Sequence, residues 1–438
     1  MRLFEFRALT IVLGVLLYST LSFSADDKRP YSGDLSSRST LTGDWGGFRN
    51  ELAKKGVTFD LSLTQIEQGV VDGGKEEEWE YGGRGEFNLN INTQKLGLWP
   101  GGFIKVEAEG NWEDAANGYT GALMPVNTNQ IFPLPGKDEL CVPEVSFTQF
   151  LSGHFGLTIG KFDTTSGDMN DFAHGKGDDQ FFNTAFNLNP VVLVALPYST
   201  VGAGGIILPV KENPDAAIIS ILALSADGQP NTSGFDDLAN GNNVYAGGAR
   251  LRTDFLDHTG HQSIGAGYST KTFTSIDQST RFLIENREIE KENDSWAVFY
   301  NFDQYLVEEK KGSGKGIGIF GRFGVSDGNP NPMEYFYSIG FGGKGFISCR
   351  PDDGFGIGYY YLDINQPKFT GPIMTRTVFK DEQGFEAYYN IGIAPWMQIT
   401  PDIQVVKGAQ EYQRASGIPI REKIHTATVF GLRFKMIF

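Results

Sequence analysis

Residues 57–64 read VTFDLSLT, and their alternation decides the fold. Val57, Phe59, Leu61 and Leu63 are apolar, and Thr58, Asp60, Ser62 and Thr64 are polar. A period of two places the sets on opposite faces of an extended strand. The pattern returns where Phe87, Leu89 and Ile91 alternate with Asn88, Asn90 and Asn92. It returns again where Ile104, Val106 and Ala108 alternate with Lys105, Glu107 and Glu109. The chain closes on it too, with Phe430, Leu432, Phe434, Met436 and Phe438 set against Gly431, Arg433 and Lys435. Sixteen such segments are counted, the first over 57–71 and the last over 426–438. An even number of strands, each with one face for lipid and one for a lumen, predicts an all-β transmembrane antiparallel β-barrel over 57–438.

Connection lengths test this independently, because such barrels have short periplasmic turns and longer outer loops. Every second connection is short: KLGLWPGG, SGH, ENPD, HTG, KKGSGK, RPDD and TPD (400–402). The long ones include Asp114–Cys141, Ser166–Tyr198 and Gln366–Gln383. With this topology Trp79, Trp112 and Trp296 fall near outer strand ends, and Trp99 and Trp396 near periplasmic ends. Aromatic belts at both bilayer interfaces fit that placement.

Working outward, the N-terminus carries Arg2 and Arg7, an apolar run over Ala8–Phe23, and then small residues. This order predicts a cleaved signal peptide over 1–24 and residence outside the cytoplasm. A leader and short periplasmic helix are expected over 25–56. The helix is read over Asp44–Lys55, with Trp45, Phe48 and Leu52 on one face and Gly56 as its stop.

Composition agrees. The chain has 34 Phe, 17 Tyr and 56 Gly but only 40% hydrophobic residues, as a barrel with a polar lumen would. A net charge of −16 argues against nucleic acid as a partner, since phosphate contacts need clustered Lys and Arg. Cys141 and Cys349 are expected at opposite ends of the barrel and unpaired, and the five His residues form no HExxH-like pair. GIGIFG (316–321) matches a dinucleotide fingerprint, but it lies in an alternating strand with no helix after it. No catalytic residues, metal ligands or cofactors are therefore assigned.

The stretches LTGDWGGFRNELAKKGV (41–57), GLWPGG (97–102), GKFDT (160–164) and FEAYYNIGIAPWMQITPDIQ (385–404) resemble the carbohydrate-selective porins. The resemblance runs from residue 41 to the C-terminus. It implies a 16-stranded outer-membrane barrel that passes monosaccharides such as glucose by passive diffusion, with small carbohydrates and outer-membrane lipid as its partners. The terminal GLRFKMIF (431–438), ending in Phe438, is similar to the signal read by the barrel-assembly machinery. A general small-solute porin and an outer-membrane adhesin are the alternative functions.

A sugar pore calls for charged groups that bond hydroxyls and for aromatic faces. Strand parity turns Arg84 and Glu86 inward, and on the next strand Lys105, Glu107 and Glu109. Arg250, Arg252, Arg322, Glu386, Arg433 and Lys435 share that parity. Arg84, Lys105 and Glu107, central in their strands, are expected to contact cargo; Arg433 and Lys435 are expected to be solvated charges near the exit. The 166–198 loop is the expected constriction, and its Phe181 and Phe182 either stack on a sugar as pore lining or anchor the loop to the wall. Lys161 and Asp163 break parity. Either a bulge at Gly160 re-aims them, or the strand has left the membrane there.

Overall fold

The computed structural model describes residues 31–281, 288–371, 379–414 and 421–438. The expected signal peptide lies outside these residues.

The alternating segments become one closed antiparallel barrel. Its first half comprises β1 (Val57–Gly74), β2 (Trp79–Asn92), β3 (Gly102–Glu113), β4 (Leu140–Phe150), β5 (Phe155–Asp163), β6 (Ser199–Ile207), β7 (Ala217–Ser225) and β8 (Asn243–Arg252). The second comprises β9 (Gly260–Ser269), β10 (Ser295–Glu308), β11 (Gly316–Ser326), β12 (Met333–Lys344), β13 (Gly354–Ile364), β14 (Glu382–Ala394), β15 (Met397–Lys407) and β16 (His425–Ile437). Each strand pairs with its sequence neighbour. β1 meets β16 from Ser62↔Ile437 to Gly69↔Phe430 without a break, so no edge is left to recruit another chain. The parity of the sequence is the parity of the wall. On β16, Phe430 and Leu432 are exposed outward and Arg433 is buried inward.

This barrel inverts the usual core. Much of its apolar burial is inside, where the 166–198 loop folds into the lumen. Phe172, Phe181, Phe186 and Val191 of that loop pack on Phe320, Phe336, Tyr360 and Tyr388 of β11–β14. The Phe181 ring centroid lies 4.5 Å from that of Phe186 and 4.8 Å from that of Tyr388. Glycine makes the room: a Cβ at Gly358 would meet the Phe186 ring at 2.5 Å.

Polar hooks hold the loop as well. Glu386 on β14 accepts the backbone N–H groups of Phe182 (2.5 Å) and Asn183 (2.9 Å). Four residues earlier, on the same lumen face of the strand, Glu382 accepts those of Leu123 and Met124, from the 114–139 loop, which is thereby also drawn inward. Buried backbone donors need such acceptors, since an orphan N–H costs about 1–3 kcal/mol.

Three local expectations need correction. The last short turn is at Pro395–Trp396, not at 400–402. Pro401 is tolerated inside β15, and the ladder to β14 lapses between Tyr388↔Asp402 and Ile391↔Ile399, where Pro401 has no N–H to give. The helix spans only Phe48–Lys54, because Trp45, Gly46 and Gly47 all have positive φ. Its buried residue is not on the apolar face. Trp45 and Phe48 are exposed, and Arg49 is buried, donating to the Phe59 carbonyl (2.7 Å) and to the main-chain oxygen of the terminal Phe438 (2.9 Å). Arg49 thus ties the leader to both strands of the barrel seam at its periplasmic end.

At Gly160 the register runs unbroken, Val145↔Lys161 following Ser146↔Gly160, so no bulge re-aims the strand. Lys161 donates to the carbonyls of Pro230 (2.8 Å) and Thr232 (2.6 Å) in a long-loop-end connection, which covers the strand end in place of lipid. Cys141 is buried, Cys349 exposed, and both are free thiols.

Candidate functional site

Inward parity on β2, β3 and β4 brings five of the predicted residues into one network and adds three. Arg84 Nε donates to Glu109 Oε2 at 2.6 Å, and its Nη2 to Glu86 Oε2 at 2.5 Å. Lys105 Nζ lies 2.7 Å from Glu144 and 3.2 Å from Glu107. From the inward loop, Lys176 Nζ reaches Glu107 at 2.7 Å, Glu109 at 3.3 Å and also Asp163. Glu144 carries the same parity as Ser146 and Thr148, so its place was readable in the sequence. The convergence of Lys176 and Asp163 on β3 was not.

The network is closed to solvent over most of its extent. Arg84, Lys105 and Glu107 are 2%, 8% and 3% exposed, and Glu109 is fully covered. These charges are paired with one another across the network. Low surroundings polarity makes an unpaired buried charge costly, and each here has an opposite partner. Glu86 is the half-open member. With Asp178, Asp60 and Lys435 it borders a periplasmic-end cavity of ≈ 610 Å³. Lys176 itself is buried. Burial alone works against its charge, yet Asp163, Glu107 and Glu109 push its pKa well above the ordinary lysine value.

Arg250 and Arg252 form a second cluster, apart from the first. Arg250 donates to Asp215 Oδ1 (2.7 Å) and Arg252 to Asp215 Oδ2 (3.0 Å); His261 bonds Asp303 at 2.8 Å. The hydrogen bond with His261, reinforced by Arg250, holds the Asp215 carboxyl well below its usual range. Asp171, on the inward loop, is pushed up to about 6 by burial and by the neighbouring Asp303.

Arg433 and Lys435 are neither solvated nor free. Arg433 donates to the carbonyls of Gly177 and Gln180 and lies 4.4 Å from the Phe182 ring centroid. Lys435 pairs with Asp178 and Asp179, and Arg322 with Asp168. All three clamp the inward loop. Phe181 and Phe182 have no exposed surface, so the packing here is that of wall anchors and not of pore lining.

Two carboxylate-rich groups have the geometry to gather a cation: Asp171 with His261 and Asp303, and Glu86 with Glu107 and Glu109. In the second group Lys176 and Arg84 already pair with these carboxylates.

Residues 76–438 match the carbohydrate-selective porin, OprB family. The chain belongs to this family. The match begins later than the motif at 41–57. Porin B of Pseudomonas aeruginosa is similar over 448 aligned residues at 20% identity, covering 91% of each chain. The high-pH structure of Pseudomonas putida OprB has a TM-score of 0.75 at 18% identity, covering 93% of this chain and all of that one. The low-pH structure of the same protein has a TM-score of 0.55 at 17% identity. This carbohydrate-selective porin is therefore a channel protein of the outer membrane, and small carbohydrates are its cargo class. Its fold is the closed 16-stranded barrel expected from the sequence.

Proposed function

We propose that sugars are selected at the belt of Arg84, Glu86, Lys105, Glu107 and Glu109, with the 166–198 loop as the constriction beside it, and that the cargo is a monosaccharide such as glucose. The observation that carries this is the position of Lys176. It joins the inward loop to the belt, so the narrowing of the lumen and its densest charge coincide. Glu86, partly open, offers carboxylate oxygens to passing hydroxyls. Arg84, Lys105, Glu107 and Glu109 stand behind it and fix its orientation and the local field. A hydrogen bond to a charged group contributes roughly 1.5–3 kcal/mol when undisturbed, less where water competes. Arg250 and Arg252 act at a separate site near the periplasmic exit.

Phe438 is the proposed recognition point for the barrel-assembly machinery. Its N–H is bonded to Leu61 O at 2.8 Å only once the barrel has closed, so in the unclosed chain this end is available.

Planar-bilayer recordings test the selectivity reading. Glucose should block ion current, and Arg84→Ala or Lys105→Ala should weaken the block and make the pore more cation-preferring. Glu107→Ala should weaken the block and shift preference toward anions. A pore whose current is indifferent to glucose at all concentrations would contradict it.

A further inference from the structure

At the long-loop end lies a cavity of ≈ 340 Å³ that none of the belt residues line. Its walls come from the 114–139 loop, the end of the inward loop, the connection after β7 and the segment after β9. It presents two chemistries. One side is ring and proline: Tyr198 and Phe273 are half-buried beside Pro133 and Pro197, and the Phe132 ring centroid stands 4.6 Å from that of Tyr198. The other side is an ion pair. Lys271 Nζ lies 2.8 Å from Asp227 Oδ1, with side chains 39% and 17% exposed. Asp227 also receives Asn242 at 3.0 Å.

The cavity stands directly over the belt. Lys176 Nζ lies 5.6 Å from the Phe132 centroid and 5.3 Å from that of Tyr198, so the two rings are both floor of the cavity and roof of the ion network. The cavity therefore lies on the outer side of the belt.

We propose that it is an outer docking subsite for a neutral pyranose. The inference rests on the chain being a carbohydrate channel and adds where the cargo first binds. A pyranose has an apolar face of ring C–H groups and an edge of hydroxyls, which match the aromatic side and the ion pair respectively. A wholly apolar ligand would cover the Lys271–Asp227 pair without bonding it, at the cost of stripping its water. A sugar acid would bring a charge that the already neutral pair cannot balance. Asp227 already accepts from Lys271, Asn242 and Asn240, so the capacity for sugar hydroxyls lies mainly with the part-exposed Lys271 ammonium, which has three donors.

Kinetic asymmetry of sugar block is the test. In oriented single channels, glucose is added to the outer side or to the periplasmic side of wild type, Phe273→Ala, Phe273→Trp and Asp227→Asn. Docking in the outer cavity predicts that Phe273→Ala and Asp227→Asn lower the outer-side blocking rate, by roughly tenfold for about 1.4 kcal/mol of lost docking. Phe273→Trp should restore it, periplasmic-side rates should change much less, and glucuronate, a charged pyranose, should block wild type more weakly than glucose. Equal rates from both sides in all channels, or equal losses from both sides, would overturn the subsite while leaving the belt intact. A wild-type channel that glucose does not block would overturn the belt reading and the subsite together.

Discussion

Lys176 Nζ, on a loop folded inside the barrel, lies 2.7 Å from Glu107 Oε1 on the β3 wall. That pair joins the part of the chain that narrows the lumen to the part that charges it. The other acidic partners of Lys176, Glu109 and Asp163, are also buried carboxylates. One ammonium thus bridges three carboxylates, two of which are shared with Lys105 and Arg84.

Lys176→Met should therefore be more disruptive than a surface lysine change. Removing one partner of a buried ionic cluster costs about 3–5 kcal/mol. Urea unfolding of folded barrels should show a lower midpoint, and the reversal potential in a salt gradient should move toward cation preference. Because the carboxylates keep Lys176 charged well above its ordinary pKa, the wild-type contribution should persist across neutral and mildly alkaline pH.

Glu386 is a different hook, holding the loop by its backbone. Glu386→Ala orphans the N–H groups of Phe182 and Asn183, each worth roughly 1–3 kcal/mol when buried. Amide exchange over 181–188 should accelerate and open-channel current noise should rise. Glu386→Gln keeps one acceptor oxygen and should fall between wild type and Glu386→Ala.

Much of this architecture was legible in the sequence, and the reason is geometric. A barrel wall has a strict period of two, so VTFDLSLT already assigns Thr64 inward and Leu61 outward, and the parity of Arg84, Glu86, Lys105, Glu107 and Glu109 holds in the structure. What parity cannot show is which inward charge an inward-folded loop will meet. Glu382 and Glu386 look like any lumen carboxylates until two loops, more than 200 residues away in sequence, place their N–H groups on them. Arg49 escaped for a related reason: besides Asp60 and Thr40, its partners are main-chain oxygens of Phe59 and Phe438, which converge only after the barrel closes.

Arg49→Ala should free the leader without opening the barrel. It removes bonds to Phe59 O and Phe438 O and the stacking of the guanidinium 4.3 Å from the Tyr31 ring centroid. Limited proteolysis should cut within 31–55 at lower protease concentration, while the β-strand circular dichroism signal is retained.

Asp171 gives a pH-dependent stability with a definite sign. Its carboxyl is raised from 3.8 to about 6 by burial and Asp303, so the folded state holds its proton more tightly than the unfolded state. This destabilisation is absent below about pH 4, grows as pH rises toward 6, and is complete above it. Asp171→Asn should match wild type in urea midpoint at pH 4 and exceed it at pH 8, by up to roughly 3 kcal/mol. Equal midpoints at pH 8 would show that Asp171 is ionised without penalty.

The central claim is that the β2–β3 belt is where cargo is selected, and Glu86 is its open member. The most direct measurement is the glucose-block constant in planar bilayers for wild type, Glu86→Gln and Lys344→Ala, the last being an exposed lysine of the periplasmic-end cavity outside the belt. Loss of a charged hydrogen bond to a hydroxyl predicts a roughly tenfold weaker block for Glu86→Gln, equivalent to about 1.4 kcal/mol. Lys344→Ala should leave the constant near that of wild type. Equal weakening in both variants, or none in Glu86→Gln, would contradict the assignment of the belt as the selective site.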